Sequence, residues 1–151
     1  MTVIAWHKEK GIALDSQCTR GRFTIPTAKY CQFEDWLLVG TGDAGIVQKV
    51  FDAITRRIPI SFEMKNTSVY AFHFATKDRP FEVFTVGAGL FPDYRDCPPH
   101  LLYDAIGIGS IYAVAAMNMG LSPVEAVKTA CKFSTGCGGE IVTWDINGVQ
   151  P

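Results

Sequence analysis

The order in which hydrophobic periodicity changes along the chain limits the fold more than any other feature. Period-two patterns come first. Thr2-Val3-Ile4-Ala5-Trp6 is β-branched and aromatic, a polar His7-Lys8-Glu9-Lys10 turn follows, and Gly11-Ile12-Ala13-Leu14-Asp15 returns as a second strand. Phe23-Thr24-Ile25 and residues 28–33 predict another hairpin around Pro26, and Trp36-Leu37-Leu38-Val39-Gly40 is a short apolar run of the kind covered on both faces. The period then becomes helical: Ala44, Val47, Phe51 and Ile54 share a face, with Asp43 as N-cap and Pro59 as terminator. Residues 68–76 and 81–86 alternate again over the turn Lys77-Asp78-Arg79-Pro80, and residues 90–99 form a loop with three prolines.

Two helices follow. The first, residues 110–119, is closed by Gly120; the second opens on the capping box Ser122-Pro123-Val124-Glu125 and runs to Phe133. A glycine-rich loop over 134–139 leads to a last strand at 140–146. Strands and helices are thus segregated rather than alternating, which selects α+β over a doubly wound parallel sheet. Without a repeat, linker or low-complexity segment, one domain over residues 1–151 is expected.

Composition removes several functions. A net charge of −1 over 151 residues lacks the basic footprint of a nucleic-acid binder. With 48% hydrophobic residues the chain has enough apolar surface to fill a core, yet no run reaches the ~18 to 20 residues of a membrane helix. No basic flank precedes an apolar block at the N-terminus, so a cytoplasmic location is expected. Cys18, Cys31, Cys97, Cys131 and Cys137 are odd in number and scattered, as in reduced thiols. His7, His73 and His100 stand apart from one another and from any CxxC pair; neither a metal site nor a cofactor is expected. Gly107-Ile108-Gly109-Ser110 matches neither GxGxxG nor GxxxxGK[ST], which argues against a nucleotide loop.

Taken singly, the remaining polar features have ordinary explanations: Thr2 starts a strand, Asp15 ends one, Lys29 faces water, and Cys137-Gly138-Gly139 makes a tight turn. Taken in order they carry a resemblance. Thr2-Val3-Ile4-Ala5, then Asp15-Ser16-Gln17-Cys18-Thr19-Arg20-Gly21, Lys29, and Val39-Gly40-Thr41-Gly42-Asp43-Ala44 before a helix resemble the β-type proteasome and HslV family of N-terminal nucleophile hydrolases. Ala105-Ile106-Gly107-Ile108-Gly109-Ser110-Ile111-Tyr112-Ala113, the Ser-x-x-Glu-Ala-Val helix and Cys137-Gly138-Gly139 extend it over nearly the whole chain. Small proteasome-like proteins of bacteria and their phages are the nearest kin it implies. The fold so implied is a four-layer αββα sandwich, two stacked antiparallel sheets with helices outside. The family's second long helix is shortened or missing, because residues 58–67 are few and contain Pro59.

The resemblance implies a threonine-type peptidase. Removal of Met1 exposes the α-amine of Thr2, whose reference pKa of about 7.7 to 8.0 lets it act as base for its own hydroxyl. Lys29 then lowers the pKa of both groups, and Asp15 holds the lysine. Gly40 is expected to offer a backbone N–H to the oxyanion, and Thr19 to bind the substrate main chain. Three supporting positions depart from the family. Ile108 stands where it has a serine between two glycines, Ser134 where it has an aspartate, and Cys137 where it has a serine. They motivate a second expectation, a catalytically inactive scaffold or assembly protein. A third, nucleophilic chemistry at Cys137, requires a cation or helix N-terminus beside the sulfur. The partners implied are a peptide or protein substrate, further copies of the chain in a ring or dimer built partly on Phe91, Pro92, Tyr94, Pro98 and Pro99, and an unfoldase, with neither nucleic acid nor membrane.

Overall fold

A computed structural model describes residues 3–20, 23–26, 29–87, 93–96, 101–134 and 136–151, with the backbone alone for 17–20, 23–26 and 93–96. The strands and helices run β1 (Val3–His7), β2 (Gly11–Asp15), β3 (Gln17–Arg20), β4 (Phe23–Pro26), β5 (Tyr30–Phe33), β6 (Trp36–Thr41) and α1 (Ala44–Arg56). They continue as β7 (Ser68–His73), β8 (Glu82–Gly87), β9 (Asp93–Asp96), β10 (Tyr103–Gly107), α2 (Ser110–Asn118), α3 (Pro123–Phe133) and β11 (Ile141–Trp144). Contacts divide the chain into two compact units, one made of residues 1–28 and 100–151, the other of residues 29–99.

The first unit holds a four-stranded antiparallel sheet in the order β10-β1-β2-β11, with β3 and β4 as a separate hairpin. Val3, Ala5 and Ala13 pack with Ala113, Ala116 and Met117 of α2 and Ala126, Val127 and Ala130 of α3. Small residues on both sides bring the two helices close to the strands. Ile4, Trp6, Ile12 and Leu14 point to the opposite face and are equally buried. Such a sheet is apolar throughout because both faces are covered. α3 begins as the sequence requires: Ser122 Oγ accepts the Glu125 N–H, and Glu125 reaches back to the Ser122 N–H at 3.0 Å.

The second unit holds a five-stranded antiparallel sheet in the order β5-β6-β7-β8-β9. The apolar stripe of α1 (Val47, Val50, Phe51 and Ile54) packs on Leu38, Val69, Ala71, Phe84 and Val86. Burying each such side chain contributes about 1.5 to 3 kcal/mol. Leu37, Val39, Phe72 and Val83 occupy the other face and are also buried. α+β segregation therefore holds, with helices on one face of each sheet and buried apolar side chains on the other. Residues 58–67 contain no helix.

Two local expectations are corrected. β4 pairs backward with β3 rather than forward with β5, which joins β6 instead. Residues 93–96, expected as loop, form the edge strand β9 on β8. α1 ends near Arg57, as expected: Arg57 adopts φ 57 and the Arg57 and Ile58 amides donate to Ile54 and Ala53 carbonyls. Of the contact patch proposed above, Phe91, Pro92, Pro98 and Pro99 lie outside the described residues. Among the described residues no helix is long and apolar enough to cross a membrane.

Gly40 shows how closely α1 sits on its sheet, because a Cβ there would lie 2.5 Å from Val47 Cγ1 and 2.8 Å from Cγ2. Gly40→Ala is expected to cost about 1 to 3 kcal/mol by overpacking. In a Val47→Ala background the cost shrinks, so urea titration of the double variant should show less than the sum of the single losses. Strict additivity would contradict the close approach.

Candidate functional site

Register gathers four chain segments at one end of the first unit's sheet. Val3 pairs with Gly107, Ile4 with Leu14, and Asp15 with Ile141, so the start of β1, the end of β2, the end of β10 and the start of β11 coincide. Asp15 is fully buried there. Its Oδ1 accepts the Val3 N–H at 2.8 Å and its Oδ2 accepts the Gly138 N–H at 3.0 Å. Hydrogen bonds to an ionised acceptor are about twice as strong as neutral ones, and a carboxylate without them would not tolerate burial. The sequence marked Asp15 but gave no sign of Gly138 as its partner.

The loop after α3 brings the three diverged positions to the same region. Ser134 ends α3, its N–H donating to the Ala130 carbonyl at 2.9 Å, and its own carbonyl receives the Cys137 thiol at 3.9 Å. Ile108 packs where Gly136 passes, since a Cβ on that glycine would lie 2.5 Å from Ile108 Cδ1. Cys131, which sequence reasoning passed over, comes from α3 to join Cys137 and Asp15, with the three donor atoms within 4.8 Å of one another. Burial pushes both thiols up; hydrogen bonding and charge at Cys137 raise Cys131 further, and the Asp15 charge adds to each. Neither thiol is an activated nucleophile, so the cysteine mechanism loses its main requirement.

Lys29 and Gly40 belong to the second unit. Lys29 immediately precedes β5 and is buried, and its carbonyl accepts the Gly40 N–H at 3.0 Å. That bond continues the β5–β6 ladder and commits the amide expected to serve an oxyanion. The turn that follows is made by Gly42 at φ 113, where a Cβ would run into the Asn66 carbonyl. Asp43 then spends its N–H on Thr67 Oγ1 at 3.2 Å and caps α1 through the Ile46 N–H at 3.0 Å. Among the described residues, Asp15 is the sole buried carboxylate and Lys29 the sole buried lysine or arginine.

Thr2 lies outside the described residues, one position before Val3. Thr19 falls on β3, opposite Thr24. The histidines have structural roles where described: His7 Nδ1 accepts the Glu9 N–H at 3.1 Å, and His73 stands edge-on to Trp36.

No family model matches the chain, and no curated protein does. Solved structures do. Anbu (ancestral beta-subunit) from Yersinia bercovieri superposes with a TM-score of 0.71 at 12% identity, covering 99% of this chain and 85% of that one. BPH from Thiobacillus denitrificans gives a TM-score of 0.65 at 17% identity, both alone and in complex with Epoxomicin. Each covers 95% of this chain, with 97% of the neighbour covered in the complex and 96% without the ligand. At these identities the likeness is one of fold, and the fold is proteasome-like.

Proposed function

We propose that the chain is a threonine-type amidohydrolase of the proteasome-like N-terminal nucleophile class, from bacteria or their phages, acting on peptide bonds. One observation carries the reading. The carboxylate and the ammonium that the resemblance makes catalytic are the two side chains of their kinds buried among the described residues. Burying a charge costs several kcal/mol unless a specific partner compensates, so folds keep such groups where chemistry needs them.

In this reading the Thr2 Oγ attacks the scissile carbonyl while its α-amine takes the hydroxyl proton. The amine returns that proton to the leaving nitrogen, and water then hydrolyses the acyl-threonine. The resemblance gives Lys29 the part of a positive charge that would favour the free amine and the alkoxide. Asp15, through the Val3 amide, fixes the backbone immediately after the nucleophile. Epoxomicin, held by the Thiobacillus denitrificans neighbour, is the natural probe. Intact mass should show loss of Met1, and epoxomicin or a β-lactone should add one equivalent at Thr2 and none in Thr2→Ala.

A second reading is favoured by Ile108. The family's serine hydroxyl is replaced by an alkyl chain packed against Gly136, which removes one polar support of the amine and hydroxyl. A scaffold or assembly role follows if Met1 is gone and the probe still fails to label.

We further propose that the chain encloses its site by assembling as a homo-oligomer, a ring or a dimer, to which an unfoldase would deliver substrate. α2 carries no charged residue, Ile111 on it is 74% exposed and Met119 at its C-cap 85%, and the exposed rings of Tyr112 and Phe133 lie against each other. Light scattering at micromolar concentration should give a multiple of 16.6 kDa. A strictly monomeric mass would remove the enclosed peptidase and leave at most a hydrolase of small amides.

A further inference from the structure

We propose that Asp15, Cys131 and Cys137 form a site for one soft divalent cation of the zinc class. The three donors converge from separate elements: the end of β2, the last turn of α3, and the loop before β11. Asp15 and Cys137 are buried and Cys131 is half-buried. Two sulfurs and one carboxylate oxygen are the donor set that borderline-soft ions select over magnesium or calcium.

The spacing suits such an ion. Zinc–sulfur bonds of about 2.3 Å place sulfurs of a tetrahedral site roughly 3.8 Å apart. Donor atoms already within 4.8 Å of one another reach that geometry by small side-chain rotations. The carboxylate is oriented beforehand by the Val3 and Gly138 amides, the kind of outer contact that fixes a metal ligand. Three protein ligands leave the fourth position to water.

A cysteine binds a metal ion as the thiolate, whereas a free thiol of ordinary acidity is mostly protonated near neutral pH. Binding expels the two thiol protons to solvent, so affinity must rise with pH, by up to about a hundredfold per unit when both are released. On the peptidase reading, an ion drawing on Asp15 would weaken the carboxylate's hold on the start of β1 and restrain catalysis. That consequence rests on the proposed function; binding itself does not.

The test is titration of the reduced, chelator-treated full chain with Cd2+, read by the sulfur-to-cadmium charge-transfer absorption. One equivalent per chain is expected, with weaker uptake at lower pH and no competition from Mg2+. Cys131→Ser with Cys137→Ser should abolish the band, Cys31→Ser should leave it, and Asp15→Asn should weaken binding at least about tenfold. A measurement without substitutions accompanies it: Cd2+ should protect Cys131 and Cys137 of the native chain from alkylation, read by peptide mass. Failure of the native chain to take up Cd2+, a band that survives loss of both cysteines, or alkylation of the pair undiminished by Cd2+ would each overturn the site. None of these outcomes depends on whether Thr2 is a nucleophile.

Discussion

A single buried carboxylate holds together the end of the molecule where its chemistry is concentrated. Asp15 is fastened to Val3 and to Gly138, residues 12 and 123 positions away in the chain. Each hydrogen bond to a charged group contributes about 1.5 to 3 kcal/mol, and stripping partners from a buried charge costs more. Folding therefore cannot bury Asp15 without also placing the start of β1 and the turn after Cys137. In a mechanism that relies on the chain's own first residues, that coupling positions the nucleophile's neighbour by backbone rather than by side chain.

Glycines set how closely the surrounding parts approach. Gly136 passes Ile108 where no Cβ fits, and Gly40 does the same for Val47. In the first case the close approach joins the candidate site to the apolar core, because Ile108 packs with the cluster under α2 and α3. An alkyl side chain there strengthens packing but offers no hydrogen bond. The same residue thus explains why the fold tolerates the departure from the family and why it bears on turnover. Small residues at Ala113, Ala126 and Ala130 extend the principle to both helices, which lie close on Val3, Ala5 and Ala13.

Much of the architecture was legible in the sequence. Periodicity found α1, α2 and α3, and capping chemistry placed their starts, because Asp43 and Ser122 make local bonds whose partners are three residues away. Strand pairing is decided at longer range, and there the reading failed. Nothing local distinguishes β4 paired with β3 from β4 paired with β5, and β9 is hidden among prolines and acidic residues. At the site, Asp15 and Lys29 were visible through resemblance, whereas Gly138 and Cys131 were not. A backbone amide carries no residue-type signal, and Cys131 reads as one more apolar position on a helix. Gly40 was assigned to the oxyanion because a glycine before a helix suggests a turn, yet it completes the strand and Gly42 makes the turn.

Amide hydrogen exchange in Asp15→Asn tests the role of this carboxylate most directly. Asparagine keeps the shape, but its remaining oxygen is uncharged and its nitrogen cannot accept, so both bonds are weakened at once. The Val3 and Gly138 amides, slow in the native protein, should each exchange at least about tenfold faster, the equivalent of ~1.4 kcal/mol, while Ala5 within the β1 ladder stays protected. Unchanged exchange at Val3 and Gly138, or acceleration of one without the other, would contradict the claim that Asp15 couples the start of β1 to the turn after Cys137.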